Sequence, residues 1–338
     1  MPLKKLGEDA FIKGLAERFK SRHPRLLKGI GDDTSVTAQA GGRALLATTD
    51  ILVEGTHFRR DYTPAYLLGK KSLSVSLSDI AAMGGSPLFF LVSIALPPDI
   101  GKKFLDELYR GLADVSSRWG CRLAGGNTAR TPDGIMVSTT VFGEAAEDEI
   151  VYRKGARSGD VIFVTGTLGS SALGLKVLGD HGPGSLKRGP YKGSVARHLD
   201  PEPRLKAGRA LAESRLATAM MDISDGLALD LKRLCLESRK AAAVYLSSIP
   251  ISEELKRYGE KTGRSPRLDF ALTGGEDYEL LFTSPEENIP RLSALSRKLS
   301  LPFTPIGKIL SGRARRTVTV IGEDGSPFVL KRLGFEHF

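Results

Sequence analysis

The run KKSLSVSLSDIAAMGG, residues 70–85, decides how the chain is organised. Its apolar residues, its length and the stop formed by Gly84, Gly85 and Pro87 predict a buried helix rather than a strand. One carboxylate, Asp79, lies inside this apolar run. Because burying an unpaired carboxylate is costly, Asp79 either caps a neighbouring loop, pairs with a lysine, or binds a metal ion.

Length and composition describe a soluble globular protein of two domains. The 338 residues are 41% hydrophobic and 26% charged, and a chain of this length exceeds one ordinary hydrophobic core. A polar stretch over residues 144–159 separates a predicted N-terminal domain, residues 1–148, from a C-terminal domain, residues 149–338. Cys121 and Cys235 are too few for a disulfide scaffold or a cysteine zinc site. Without a signal peptide or a run of roughly 20 apolar residues, we expect a cytoplasmic protein with no membrane partner.

The net charge of +10 is compatible with an anionic partner. The basic residues are scattered, as in Arg153, Lys154 and Arg157, and no basic block is interleaved with aromatic residues. This pattern predicts a solvated basic surface rather than a nucleic-acid interface. A phosphorylated small molecule would also be attracted by such a field.

Acidic residues of the N-terminal half recur beside glycines and apolar strands. In GIGDDTSV, residues 29–36, Asp32 and Asp33 follow a glycine turn. They form either a solvated turn or part of a site for a hard cation such as Mg²⁺, which prefers oxygen ligands. Asp50 lies at the end of a strand predicted over residues 44–49.

Two further stretches of this half carry candidate ligands. His57 follows Asp50 closely, and is either a satisfied polar residue or part of the same site. Residues 123–130, LAGGNTAR, read as a strand that runs into a glycine turn. The glycine pair could let the backbone approach a ligand, and Asn127 supplies an oxygen.

The C-terminal half repeats the association of glycines with acids. The motif DISDG, residues 222–226, precedes a predicted helix, so its polar side chains either cap that helix or hold cations and phosphate. Glu276 follows a glycine pair in GGEDYELLF. Gly166 and Gly169 precede another helix, but a full P-loop is absent, so a structural turn is the better interpretation. Residues 179–193 are predicted to form a mobile loop.

These acids indicate a particular chemistry. The chain has neither a Cys/His zinc spacing nor a nucleophile elbow. Clustered carboxylates without imidazole ligands suit Mg²⁺, and several Mg²⁺ ions suit a polyphosphate substrate. The residues alone therefore predict a magnesium-dependent enzyme that uses a nucleotide and lacks a P-loop.

Six motifs also carry a resemblance to a known family. They are GIGDDTSV, TTDILVEGTHF, LSDIAAMGGSP, AGGNTAR, DISDGLALDL and LTGGEDYELLF, in this order along nearly the whole chain. Together they resemble the thiamine-monophosphate kinase family, within the superfamily of aminoimidazole ribonucleotide synthetase and selenophosphate synthetase. The resemblance implies an α/β (α+β) fold, in which an N-terminal domain forms a homodimer through its sheet and a C-terminal α/β domain closes over the nucleotide.

The resemblance further implies a kinase of thiamine diphosphate biosynthesis. This transferase would use ATP and several Mg²⁺ ions to phosphorylate thiamine monophosphate directly, releasing ADP. The positions that match metal ligands of the family are Asp33, Thr48, Thr49, Asp50, Asp79, Asn127, Asp222 and Asp225. Those that match ATP-binding positions are Gly126, Asn127, Arg153 and Ser224. Those that match substrate contacts are His57 and Glu276, and Phe335 is a candidate for an aromatic contact. Asp50, Asp79 and Asp225 are expected to be catalytic.

Two departures from the family pattern leave alternatives open. Asn127 stands where the family usually has an aspartate, which would weaken one metal site, because an amide supplies an oxygen without charge. The resemblance aligns Arg332 with a position where some members have a tryptophan, and Phe335 is nearby in the sequence. One alternative is another ATP-dependent member of the superfamily with a different acceptor. The other is a non-catalytic nucleotide- or nucleic-acid-binding protein, which the intact acids disfavour.

Overall fold

The computed structural model describes residues 7–20, 23–263, 268–312 and 317–337. The helices in these ranges are α1 (Glu8–Arg18), α2 (Ala65–Ala82), α3 (Lys102–Trp119), α4 (Ser170–His181), α5 (Lys192–Leu199), α6 (Leu205–Glu213), α7 (Leu227–Ser238), α8 (Glu253–Lys261), α9 (Leu268–Thr273) and α10 (Ile289–Leu299). The strands are β1 (Leu26–Lys28), β2 (Ser35–Ala38), β3 (Arg43–Val53), β4 (Ser86–Leu96), β5 (Arg122–Arg130), β6 (Met136–Ala146), β7 (Val161–Thr165), β8 (Ala219–Asp222), β9 (Ala241–Tyr245), β10 (Leu280–Ser284), β11 (Phe303–Leu310), β12 (Val318–Ile321) and β13 (Pro327–Phe328).

The strands form two mixed sheets, one in each half of the chain. The N-terminal sheet has the order β1-β2-β3-β6-β4-β5, and only β4 and β5 run parallel. The C-terminal sheet has the order β13-β12-β9-β11-β7-β10-β8, and only β12 and β9 run parallel. The predicted α/β (α+β) class with two sheet domains is confirmed, while the boundary between residues 148 and 149 stays a prediction. No helix of the described ranges is both long enough and apolar enough to cross a membrane.

Helix α2 is the buried helix that the run over residues 70–85 predicted. It begins earlier, at Ala65, and it ends at Ala82, just before Gly84 with its φ of 71°. It packs on the N-terminal sheet, on α3 and on α6. The approach to α3 is close, because a Cβ on Gly69 would lie 1.9 Å from the carbonyl oxygen of Leu108. This packing removes most of the helix from solvent, so Lys71 and four serines are buried together with its apolar residues.

The prediction that Asp50 ends a strand was wrong. Strand β3 continues to Val53, because it pairs with β6 along its whole length, from Arg43 opposite Ala146 to Val53 opposite Met136. Asp50 therefore lies within a strand, and its side chain is directed by the pleat rather than by a turn.

The prediction of a glycine turn after residue 123 was also wrong. Gly125 and Gly126 lie inside β5, which runs unbroken to Arg130. The strand contains a bulge, since Leu123 pairs with Phe90 and Gly125 with the next residue of β4. A Cβ on Gly126 would lie 1.9 Å from the carbonyl oxygen of Val92, so close pairing of the two strands explains this glycine.

Two predictions in the C-terminal half have different outcomes. Residues 179–193 are not a continuous loop, because they include the end of α4, a 3₁₀ turn over Pro183–Leu186 and the start of α5. The structural interpretation of the glycines before α4 is supported, since the Gly169 and Ser171 amides both donate to the Asp277 carboxylate. A carboxylate of the protein therefore caps this helix.

Candidate active site

Three carboxylates from distant parts of the sequence converge between the two sheets. Asp33 precedes β2, Asp79 lies in the last turn of α2, and Asp222 ends β8. One oxygen of each lies within 4.8 Å of the others. These three residues are called the acidic cluster below. Asp33 and Asp222 are buried, whereas Asp79 keeps a partly exposed edge.

Each member of the acidic cluster is held by a single nearby donor. Thr48 on β3 donates its hydroxyl to Asp79, and Ser78 donates to Asp222 over 2.6 Å. The Arg153 guanidinium donates to Asp33 Oδ1 from Nε at 3.2 Å and from Nη2 at 2.6 Å. Arg153 is the only cation in these three contacts. The cluster therefore has one arginine for three carboxylates.

The carboxylates outnumber the arginine, and several carboxyl groups in and around the acidic cluster have raised pKa values. Burial, and then the neighbouring carboxylates, raise the pKa of Asp79 well above its ordinary value. Burial and Asp33 do the same to the pKa of Asp222. Burial also raises the pKa of Asp50, and it raises the pKa of Asp32 to about 6. Negative charge at this position is costly unless a cation joins it.

The oxygens left without partners fit such a cation. Asp33 Oδ2 and Asp50 Oδ2 are buried, and neither has a hydrogen-bond partner among the described residues. Buried polar atoms are normally satisfied, so these two oxygens are candidates for binding a ligand. The donor set consists of carboxylate oxygens, which are the ligands of Mg²⁺ rather than of zinc or copper.

Asp225 lies nearby with a different partner. Arg233 of α7 contacts Asp225, Asp230 and also Asp9 of α1. The cap of α7 is supplied by Asp230, whose carboxylate accepts from the Asp225 and Gly226 amides at 3.1 and 3.0 Å. The side chain of Asp225 is thus not used as the cap of this helix, which favours the cation-binding alternative left open by the sequence.

A cavity of about 1040 Å³ opens next to these acids. Its wall includes Asp50, Ser224 and Asp225. It also includes the three predicted substrate residues His57, Glu276 and Phe335, together with Arg332 and His337. Rings line one part of it, since the His337 centroid lies 5.2 Å from His57 and 4.9 Å from Phe335. The cavity is large enough for a drug-sized ligand.

His57 is both a hydrogen-bonded polar residue and part of the cavity wall, which were the two alternatives that the sequence allowed. Its Nδ1 accepts from the Val53 amide at 3.0 Å, so the ring is satisfied on that side. The rest of the ring faces the cavity. Burial lowers the pKa of His57 below its ordinary value, so the ring is neutral at physiological pH.

The single chain does not bring all predicted residues together. The Thr49 hydroxyl faces away from Thr48, bonding the Thr140 hydroxyl at 3.0 Å on the exposed side of the sheet. Gly126 and Asn127 lie on the edge strand β5, separated from β3 by β6 and β4. Three strand spacings amount to roughly 14 Å. Their assignment to ATP and metal therefore stays a prediction.

Sequence reasoning missed four residues of this region. Lys71 and His198 contact Glu276, while Arg233 and Asp230 contact Asp225 or its backbone. Only Lys71 had a local signal, because it is a lysine within the apolar run over residues 70–85. The others depend on contacts between distant segments.

Models of the AIR synthase related proteins match both halves of the chain. The N-terminal domain model matches residues 31–145, and the C-terminal domain model matches residues 157–319. The fold and the paired acidic motifs thus define a member of this superfamily.

Relatives narrow the assignment. A thiamine-monophosphate kinase of Aquifex aeolicus is 36% identical over 100% of both chains. One of Escherichia coli is 36% identical over 98% of each chain. A solved structure, AaThiL complexed with AMPPCP and TMP, superposes with a TM-score of 0.85 at 35% identity, covering 100% of this chain and 99% of that one. The chain belongs to the thiamine-monophosphate kinase family.

Proposed function

We propose that this protein transfers the γ-phosphoryl group of ATP to thiamine monophosphate, giving thiamine diphosphate and ADP. The observation that carries the proposal is the acidic cluster beside a cavity lined by His57, Glu276 and Phe335. One part can hold metal-bound phosphates, and the other can hold an organic acceptor. AaThiL, which has the same fold, was solved with AMPPCP and TMP.

The cations of the proposal are Mg²⁺ ions. Asp33, Asp50, Asp79, Asp222 and Asp225 would hold them, and Thr48 and Thr49 are further predicted metal positions. The unpaired oxygens of Asp33 and Asp50 support this fit. When held by these residues, Mg²⁺ would offset the negative charge of the phosphates during phosphoryl transfer. Arg153 beside Asp33 and Ser224 on the cavity wall would bind the nucleotide.

The chain's own residues would act mainly by positioning. The acceptor is a phosphate, which is already ionised at neutral pH, so no strong general base is needed. His57 is neutral and half-buried at the cavity wall, where it can donate or accept a hydrogen bond. Alignment of the two phosphates and compensation of their charge would supply most of the acceleration.

We further propose a cytoplasmic homodimer formed through the N-terminal sheet. Every residue of β5 is exposed, although the strand carries Leu123 and pairs on one side only. An exposed edge strand with apolar side chains is a surface for pairing. A second copy there would bring Gly126 and Asn127 toward a nucleotide. The two cysteines are free and buried, which suits a reducing compartment.

The test is ADP release by the purified protein with Mg²⁺ and ATP, with and without thiamine monophosphate, while thiamine diphosphate is followed by chromatography. ADP that depends on the acceptor and equals the thiamine diphosphate formed supports the proposal. Binding of ATP without any product would overturn it, and would leave a changed acceptor or a lost activity.

A further inference from the structure

The Glu276 carboxylate is clamped by two buried side chains. Lys71 Nζ lies 2.8 Å from Glu276 Oε1, and His198 Nδ1 lies 3.2 Å from Glu276 Oε2. Lys71 is 1% exposed on α2, and His198 is 2% exposed on α5. The glutamate keeps 22% of its side chain accessible at the cavity wall. Each of the two helices thus contacts one carboxylate oxygen, while the glutamate still lines the cavity.

Lys71 connects the two predicted substrate residues. Its ammonium group also approaches the carbonyl oxygen of His57, at 3.5 Å. Burying a lysine side chain is costly without a partner carboxylate, and Glu276 supplies that partner. Any shift of Glu276 would therefore disturb the wall at His57 as well.

The backbone at Glu276 is held as firmly as its side chain. Glu276 has a φ of 65° and Tyr278 a φ of 49°, a left-handed conformation that costs non-glycine residues about 1–2 kcal/mol. Main-chain bonds from the Glu276 amide to Ser224 and from the Tyr278 amide to Ile223, at 2.7 and 2.9 Å, maintain it. Such over-determined strain is typical of residues that must point at a ligand.

The protonation states of Glu276 and His198 are consistent with these contacts. Burial alone would raise the pKa of Glu276, but the charge of the Lys71 ammonium and its hydrogen bond hold that pKa below the ordinary value. Burial, and then Lys71, lower the pKa of His198 to about 3, so its ring is neutral. The Ser171 hydroxyl is the hydrogen-bond partner of His198 Nδ1, at 3.0 Å, and Glu276 Oε2 lies 3.2 Å from the same nitrogen. The titratable groups around Glu276 are Lys71 of α2, His198 of α5, His57, Tyr62 and Tyr278.

We propose that Lys71 and His198 are positioning residues, which keep Glu276 ionised and aimed at the cationic heterocycle of the acceptor. The inference rests on the proposed function, and it adds the specificity-determining group and its two supports. A fixed carboxylate at this wall attracts a positively charged ring and orders the acceptor before transfer. Binding of the nucleotide is not expected to depend on Lys71 or His198.

The first test compares Lys71→Met with Lys71→Arg and Lys70→Met. Lys71→Met should raise KM for thiamine monophosphate about tenfold, with kcat and KM for ATP nearly unchanged, since it disturbs binding of the acceptor. Lys71→Arg keeps the charge and should recover part of the affinity. Lys70→Met is the matched control, because Lys70 pairs with Asp200 instead. Equal effects of the Lys70 and Lys71 variants would overturn the proposal.

A double-mutant cycle with Glu276→Gln separates positioning from general stability. If Lys71 acts through Glu276, adding Lys71→Met to Glu276→Gln should raise KM no further. Independent, additive effects would contradict the clamp. His198→Leu should resemble Lys71→Met more weakly, and His198→Asn, which keeps a donor, should be milder than His198→Leu.

A last measurement does not depend on turnover. In the ligand-free protein labelled with ¹³C at glutamate Cδ, the Glu276 resonance is assigned by its loss in Glu276→Gln. Lys71→Met should raise the pKa of Glu276 above the ordinary value for glutamate, while Lys70→Met leaves it unchanged. An unchanged pKa of Glu276 in Lys71→Met would contradict the proposed role of Lys71. The wild type could lack activity on thiamine monophosphate while this pKa rose as expected. The role of Lys71 at Glu276 would then be supported, but the proposed acceptor would be wrong.

Discussion

The acidic cluster and the buried carboxylate of Glu279 lie close to each other and are neutralised in opposite ways. In the acidic cluster, Arg153 alone faces the three carboxylates. In what we call the Glu279 site, a single fully buried glutamate receives two arginines, Arg197 and Arg204. The Thr165 hydroxyl adds a further bond to Glu279 Oε2, at 2.6 Å.

The difference separates a structural site from a binding site. At the Glu279 site both carboxylate oxygens have donors within the chain, so nothing further is needed. At the acidic cluster the pKa values of Asp79 and Asp222 are raised, and Asp33 Oδ2 has no partner among the described residues, which supports the proposed cation site. Buried charge that the chain compensates needs no further ligand, whereas uncompensated buried charge indicates a candidate binding site.

The largest effect is expected from Glu279→Gln. Removing this charge leaves two arginines with reduced compensation, so the free energy of unfolding should fall by about 3–5 kcal/mol. Denaturant titration in metal-free buffer measures it. Glu286→Gln is the matched control, because its pair with Lys308 is exposed and should change stability by only about 0.5 kcal/mol. Equal losses in the two variants would show that the Glu279 site is not special.

Asp79→Asn should produce the opposite phenotype. It removes a carboxylate from the acidic cluster and keeps an oxygen for the Thr48 hydroxyl, so folding should be unaffected. The proposed kinase activity should fall by roughly 10²–10³-fold, or about 3–4 kcal/mol. The steady-state rate of ADP formation measures the loss.

Thermal stabilisation by added Mg²⁺ provides the independent readout for Asp79→Asn. A ligand that binds only the folded state raises its stability with concentration. The wild type should gain stability as Mg²⁺ is added, and the variant should gain much less at the same concentrations. Near-full activity together with an unchanged Mg²⁺ response would mean that Asp79 is not a metal ligand.

Elements that depend on a local sequence pattern could be predicted from the sequence. Elements that depend on contacts between distant segments could not. Helix α2 was predictable, because an apolar run of helical length that ends in glycines has one stable solution. The end of β3 was not, because the pairing of Val53 with Met136 across the sheet overrides the polar residues after Thr48. The strand conformation of Gly126 depends on the backbone of β4 opposite it, which no local pattern reveals.

The candidate site divides along the same line. The acids of the cluster stand in motifs with glycines, so their chemistry could be predicted before their geometry was known. The Lys71–Glu276 contact joins residues more than two hundred positions apart, and it depends on how the two domains pack. Asn127 marks the converse case, because its motif indicates a ligand while the single chain leaves it on an exposed edge.

Asp277, next to the Glu279 site, should make the stability of the protein depend on pH. Burial raises the pKa of Asp277 to about 7, against about 3.9 in an unfolded chain. Between these values the folded state binds more protons, so stability falls as pH rises through the window. Relative to Asp277→Asn, the wild type should therefore lose roughly 2 kcal/mol between pH 5 and pH 7.5. Unfolding curves of both proteins at these two pH values give the difference.

Asp277 also tests whether the whole neighbourhood of Glu279 is compensated. Its carboxylate accepts from two amides at the start of α4, but Arg197 reaches only its main-chain oxygen, at 3.4 Å. If the stability difference between the two proteins did not change with pH, Asp277 would be as well neutralised as Glu279. The contrast would then lie between two complete sites rather than between degrees of compensation.

The smallest effect is expected from Ser78→Ala, at the edge of the acidic cluster. The Ser78 hydroxyl donates to Asp222 Oδ2, and its loss should weaken the carboxylate as a cation ligand by about 1 kcal/mol, or roughly fivefold in the half-saturating Mg²⁺ concentration. Stability without Mg²⁺ should change little, because Asp222 can become protonated there, given its raised pKa. Ser72→Ala is a suitable control, since Ser72 donates to a carbonyl oxygen of its own helix. A loss of stability in Ser78→Ala with no change in the Mg²⁺ response would show that this hydroxyl supports the fold alone, and that the acidic cluster resembles the Glu279 site more closely than its unpaired oxygens suggest.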